Sequence, residues 1–218
     1  MRNNAVAFNG VYMHIAFLSG GKDSYFAVYR YGHIDLGLML IYEFPRPSPH
    51  TINLGKSLET LSLAGIPTTV LRLSKGNEFS ETVDFLRKLN ANVIVAGDVY
   101  IDEHLKYMER LSAEVGASLV EPLWGLDPEE LMYIEFSNSL ETLVIGCYSS
   151  IDKWIGRILN KDNVGEFIDD VKGVGLDPLG EKGEYHTLVV SGPLHRLRLS
   201  YDIVKVEMFN DYSVLRVI

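Results

Sequence analysis

Short apolar runs alternating with longer amphipathic stretches limit what this chain can fold into more than any other feature. The apolar runs lie at Tyr12–Leu18, Leu36–Tyr42, Thr68–Leu73, Val93–Ala96 and Ser118–Val120. Helical stretches separate them at Ser24–Tyr31, Leu54–Ala64, Glu78–Leu89 and Glu103–Val115. Repeated strand–helix–strand units of this kind build a parallel sheet. In the third helical stretch Phe79, Val83, Leu86 and Leu89 recur at helical spacing, which predicts one face laid on that sheet. Gly65 and Pro67 end the second helix, glycine just past its last turn and proline barring continuation.

The rhythm changes after Glu121. Asp127 suits a helix cap and Pro128 a first helical turn. An apolar strand is expected at Leu140–Cys147, with helices at Ile151–Leu159 and Val164–Val171. The remainder predicts strands at Thr187–Val190, Leu194–Leu199, Ile203–Phe209 and Ser213–Val217, parted by Gly-Pro and Asn-Asp turn signals. The plan is therefore a loose N-terminal extension over residues 1–12, with Met13 as an alternative start. A nucleotide-type α/β domain follows over residues 13–121, then a smaller α+β domain over residues 122–218 that closes over its edge.

Composition excludes several function classes. The net charge of −9 argues against direct nucleic-acid binding, which needs a Lys/Arg excess to neutralise phosphates, and against an anionic membrane surface. Cys147 is the only cysteine, so an intrachain disulfide and a cysteine-built zinc site are both ruled out. It sits in an apolar run, where a buried inert thiol is expected, and a reducing cytoplasm is the natural setting. No apolar run approaches the roughly 18 residues that span a bilayer.

The segment Ser19-Gly20-Gly21-Lys22-Asp23-Ser24 follows the first strand and precedes a helix expected to begin near Ser24. Ligands of open α/β sheets bind at this C-terminal edge. Gly20 and Gly21 let the backbone turn sharply and bring N–H groups to an anion. Ser19 and Ser24 add hydroxyl donors, and the helix N-terminus adds a favourable dipole. Lys22 offers a mobile positive charge, and Asp23 can hold a magnesium ion that bridges phosphate oxygens. The spacing is neither a Walker A loop nor a dinucleotide fingerprint.

This segment resembles the PP-loop of the ATP pyrophosphatases, which cleave ATP to AMP and pyrophosphate. Three further segments resemble the diphthine–ammonia ligase branch of that superfamily: Glu121-Pro122-Leu123-Trp124-Gly125, Gly180-Glu181-Lys182-Gly183-Glu184-Tyr185-His186-Thr187, and His50-Thr51-Ile52-Asn53. The likeness runs from Met13 to Leu199. It implies an adenine nucleotide alpha hydrolase-like fold, with a five-stranded parallel sheet of order 3-2-1-4-5 and a smaller C-terminal α+β domain. It also implies that the chain adenylates the diphthine carboxylate on translation elongation factor 2 and transfers ammonia to it, with ATP and Mg2+.

The resemblance assigns ATP contacts to Ser19–Ser24 and Gly97, catalytic roles to Lys22, Asp23, Glu181 and Glu184, and substrate contacts to His50, Trp124, Glu181, Glu184, Tyr185, His186 and Thr187. Diphthine carries a quaternary ammonium, for which Trp124 and Tyr185 offer aromatic faces. Glu181 and Glu184, spaced around two glycines, are expected on an exposed, turning loop where they attract that cation or position ammonium. His50 lies beside the proline-rich stretch Pro45–Pro49, which is either a lid over the nucleotide or a plain loop. His14, His33, His104 and His195 show no metal spacing.

One departure stands out. Where family members carry a tyrosine, a glutamine and an arginine after the fourth strand, this chain has Glu103, His104 and Tyr107 within Ile101–Tyr107, which leaves the contacts of that helix unassigned. Two other readings compete: a tRNA-modifying PP-loop ligase or thiolase, and a non-catalytic sensor of ATP or AMP. The chain shows no glutaminase signature, so free ammonium is the simpler nitrogen source. The oligomeric state is open, a homo-oligomer included.

Overall fold

The computed structural model describes residues 12–42 and 48–218. The expected extension up to residue 11 and Pro45–Pro47 of the proline-rich stretch lie outside the described residues. Strands β1 (Met13–Phe17), β2 (Leu36–Ile41), β3 (Thr68–Arg72), β4 (Ala91–Val95) and β5 (Ser118–Val120) form an all-parallel sheet in the order β3-β2-β1-β4-β5. Helices α1 (Lys22–Tyr31), α2 (Pro49–Ile52), α3 (Leu54–Leu63), α4 (Glu78–Lys88) and α5 (Asp102–Val115) connect the strands. The order reverses at β1, so the β1–α1 and β4–α5 turns meet at the crevice where doubly wound sheets bind ligands.

The chain continues through α6 (Pro128–Ser137), β6 (Glu141–Tyr148), β7 (Ile158–Leu159), α7 (Val164–Gly173), β8 (Tyr185–Ser191), β9 (Ile203–Phe209) and β10 (Tyr212–Val217). These strands make a second sheet, antiparallel, in the order β7-β6-β10-β9 with β8 on the other side of β6. Asp127 caps α6 by accepting from the Glu129 and Glu130 N–H groups, each at 3.0 Å.

Two expected elements differ. Ile151–Leu159 is a kinked 3-10 segment (Ser149–Trp154) followed by the short strand β7, because Ile158 and Leu159 pair with Leu143 and Thr142. Leu194–Leu199 is irregular: the Leu194 N–H donates to the Tyr25 hydroxyl of α1 (2.8 Å) and the Arg196 N–H to the Leu63 carbonyl of α3 (3.1 Å), so these backbone groups bond to helices instead of a strand. The His195 ring bridges the Tyr25 hydroxyl (3.0 Å) and the Thr60 hydroxyl (2.9 Å).

The two sheets share a core through α1. Val28 packs with Ala16 and Leu61 beside the parallel sheet, whereas Tyr25 and Phe26 pack with Leu131, Phe136, Val144, Phe167 and Val189 from the second half. The Asn53 amide makes a further tie, donating to the Leu215 carbonyl (2.8 Å) and accepting from the Val217 N–H (2.9 Å). Cys147 is fully buried, and burial pushes its thiol up to about 12.

Gly97, at the exit of β4, lets α1 sit directly on the sheet edge. A methyl group there would lie 3.0 Å from both the Asp23 carbonyl oxygen and the Ser24 Cα. Gly97→Ala is therefore expected to destabilise the fold by about 1–3 kcal/mol through overpacking. Urea denaturation at neutral pH measures it.

Candidate active site

The loop after β1 turns at Gly20, whose φ of +86° suits glycine. A Cβ on Gly20 would lie 3.2 Å from the Ser57 backbone, and one on Gly21 would lie 3.3 Å from both His50 Cε1 and the Thr187 carbonyl oxygen. The Ser19 hydroxyl accepts from the Gly21 N–H at 3.2 Å and lies 3.4 Å from the Ser24 hydroxyl, which donates back to the Gly21 carbonyl. Helix α1 starts at Lys22, two residues before the expected Ser24, because extended Gly21 acts as its cap.

Strand β8 clamps this loop. The Val189 N–H donates to the Gly20 carbonyl at 2.9 Å, and the Lys22 N–H donates to the Thr187 hydroxyl at 3.2 Å. Thr187 is thereby fixed to the loop. His186 lies on the same strand, its ring 5.5 Å from that of His50. His50 belongs to the short helix α2, and burial together with neighbouring His186 pushes its imidazole down to about 3.

Lys22 was expected to be mobile but is 1% exposed. Its ammonium contacts the Asp23 carboxylate, lies 3.5 Å from Glu135 of α6, and sits 5.9 Å from the centroid of the Tyr185 ring. Burial works to lower the lysine's pKa, and Asp23 and Glu135 outweigh it, so the group stays charged. Glu135 is fully buried, and neither of its oxygens finds a closer hydrogen-bond partner among the described residues. Burial pushes its carboxyl up to about 8 against the pull of Lys22. A lone glutamate in a helical stretch gave no sequence signal.

The glutamate-rich segment is not the open loop expected from its glycines. Glu184 is buried and its side chain accepts from the Lys182 N–H at 2.9 Å. Tyr185 is 3% exposed, edge-on to Phe167 at 4.8 Å, with its hydroxyl donating to the Pro178 carbonyl at 2.8 Å. Its ring is a wall beside Lys22 instead of a free aromatic face. Trp124 is partly buried in the turn after β5.

The turn beyond β4 joins these segments. The Val99 N–H donates to Glu181 at 2.9 Å, and the Val99 carbonyl accepts from the Gly125 N–H at 2.8 Å. The Asp98 N–H donates to Glu121 at 3.2 Å, and Asp98 also meets His104 at 3.1 Å. Asp98, Glu121 and His104 were missed as site residues, although the unusual Ile101–Tyr107 segment marked the region. Burial first, then Asp98, pushes Glu121 up to about 8. Burial, then Asp23 and Asp98, pushes Glu181 up to about 7. One oxygen of each has no hydrogen-bond partner among the described residues.

A glycine-rich loop thus opens a helix at the C-terminal edge of a 3-2-1-4-5 sheet, the place where open α/β sheets bind ligands. Residues 13–119 match the diphthamide synthase N-terminal domain, and residues 127–217 match the diphthamide synthase C-terminal domain. The chain belongs to the diphthamide synthase family. No curated protein matches it in sequence. Several solved structures are similar, among them these two. One is a predicted subunit of tRNA methyltransferase from Methanocaldococcus jannaschii, with 15% identity and a TM-score of 0.42, covering 86% of this chain and 99% of that one. The other is the U34-tRNA thiolase NcsA from Methanococcus maripaludis with its 4Fe-4S cluster, with 14% identity and a TM-score of 0.36, covering 79% and 70%.

The raised carboxyls fix the sign of a pH effect. Folded Glu121 holds its proton more tightly than the unfolded chain does, so ionising it costs stability as pH rises from the ordinary 4.5 to about 8. Stability is expected to fall across that window, and Glu121→Gln to make the fall shallower. Thermal unfolding of both proteins at several pH values across that window checks this, and equal slopes would refute it.

Proposed function

We propose that this protein adenylates the diphthine carboxylate of translation elongation factor 2 and converts it to an amide with free ammonia. The observation that carries this reading is the direct bonding of β8 to the PP-loop through Thr187 and Val189. It brings the Glu181–Thr187 segment to the loop that would hold ATP.

In this reading the carboxylate oxygen attacks the α-phosphorus, and the bond to the β-phosphate bridging oxygen breaks, releasing pyrophosphate. Ammonia then attacks the acyl carbon of the adenylate and AMP leaves. The attacking nitrogen loses a proton, and Glu181, raised to about 7, is suited to accept it near neutral pH. Ser19, Ser24 and the start of α1 orient the phosphates.

Lys22 reaches a phosphate only if it exchanges a carboxylate neighbour for it. Asp23 is that neighbour, since its side chain is 33% exposed whereas Glu135 is fully buried. Glu135 then holds the lysine in place as a positioning residue. A magnesium ion held by the Asp23 carboxylate and phosphate oxygens would neutralise phosphate charge, and a single protein carboxylate is an ordinary share of such a site. In this scheme Trp124 and Glu184 serve the cationic substrate, and the cytoplasm is the compartment.

The test is pyrophosphate release from ATP that requires both ammonium and diphthine-bearing elongation factor 2. Release stimulated by tRNA would favour a tRNA-modifying ligase, and tight ATP binding without release would favour a nucleotide sensor. Asp23→Asn is expected to lower kcat by roughly a hundredfold or more. Trp124→Ala should raise KM for the protein substrate by about 2- to 30-fold, the worth of a cation–π contact, with ATP affinity unchanged. Equal losses of ATP binding in the two variants would contradict this division of roles.

A further inference from the structure

Strand β9 reads Ile203-Val204-Lys205-Val206-Glu207-Met208-Phe209 and pairs with β10 along one side. Along its other side no strand is paired among the described residues. An edge strand normally hides one face, yet here Ile203 is 55%, Val204 48%, Val206 46% and Met208 60% exposed. Apolar side chains of both faces meet solvent. Such an edge, with a row of unpaired N–H and C=O groups, is a template for a further strand.

The order of residues in β9 says which strand fits. When the strand is laid antiparallel on itself with Val206 opposite Val206, Lys205 faces Glu207, Val204 faces Met208 and Ile203 faces Phe209. Every charge then meets its opposite and every other pair is apolar. A shift by one position sets Lys205 and Glu207 against apolar residues. A shift by two sets Lys205 against Lys205, or Glu207 against Glu207. Two-fold symmetry demands a self-complementary surface, and only the Val206-centred register supplies one. A lysine on an edge strand ordinarily discourages pairing, but Lys205 already contacts Glu207 of its own strand, and the second copy adds another carboxylate.

We propose that β9 is a dimer interface, at which a second copy of this chain adds its own β9 antiparallel about Val206 and makes the two antiparallel sheets continuous. The affinity comes from main-chain hydrogen bonds and the apolar pairs, and the Lys205–Glu207 pairs set the register.

The test measures the mass of the full chain by sedimentation at micromolar concentrations. The wild-type protein is expected to be a dimer. Lys205→Glu and Glu207→Lys alone each place like charges opposite each other twice, and each should raise the dissociation constant at least about tenfold. Mixed in equal amounts, the two variants carry complementary strands and should form a heterodimer, with thermal unfolding of each confirming its fold. A monomeric wild type, a single reversal that leaves the dimer intact, or a mixture that stays monomeric would each overturn the proposal.

Discussion

Removing an ammonium from water costs several kcal/mol unless carboxylates accompany it, and Lys22 is buried at the first turn of α1. Its surroundings come from three places in the chain: Asp23 beside it, Glu135 on α6 and Tyr185 on β8. Neither half of the protein could bury this charge alone. The lysine of the glycine-rich loop therefore ties the parallel sheet to the antiparallel one. The hydrogen bonds from the Lys22 N–H to Thr187 and from the Val189 N–H to Gly20 hold the two sheets in that relation.

The turn from Gly97 to His104 has a comparable role on the other side of α1. Gly97 sets how closely α1 approaches β4. Val99 uses its N–H for Glu181 and its carbonyl for the turn that carries Trp124. Two segments about sixty residues apart in sequence are thus aligned by one peptide group on each side of Val99. This geometry accounts for why the Pro122–Trp124 and Glu181–Thr187 segments belong together, and it requires no direct contact between them.

Most of the parallel sheet was legible because period and punctuation are local. Apolar runs gave the strands, and Asp127-Pro128 gave a helix start, since caps and turns depend on adjacent residues. The Leu194–Leu199 strand failed because residues far away in sequence take backbone groups that a ladder would need: the Leu194 N–H donates to the Tyr25 hydroxyl and the Arg196 N–H to the Leu63 carbonyl. Glycine spacing around Glu181 and Glu184 correctly signalled a turn but not the burial of Tyr185 beside it, against which Met132 of α6 and Phe167 of α7 pack from outside. Glu135 was invisible for the same reason. Nothing in a helix sequence shows that one glutamate will face a lysine over a hundred residues away.

The acidic groups beside the loop remain at odds with their setting. Asp23, Asp98, Glu121 and Glu181 lie near one another, and two of them are pushed towards the neutral form. Among the described residues Lys22 contacts Asp23 and His104 is held to Asp98. A fold that answered only to stability would separate these carboxyls or replace them with amides, as functional sites commonly do not. Their unfavourable ionisation becomes favourable when a cation enters. Under the proposed reading the cation is ammonium or the quaternary group of diphthine, and the same carboxyl that is reluctant to ionise in the free protein is the one poised to take up a proton near neutrality.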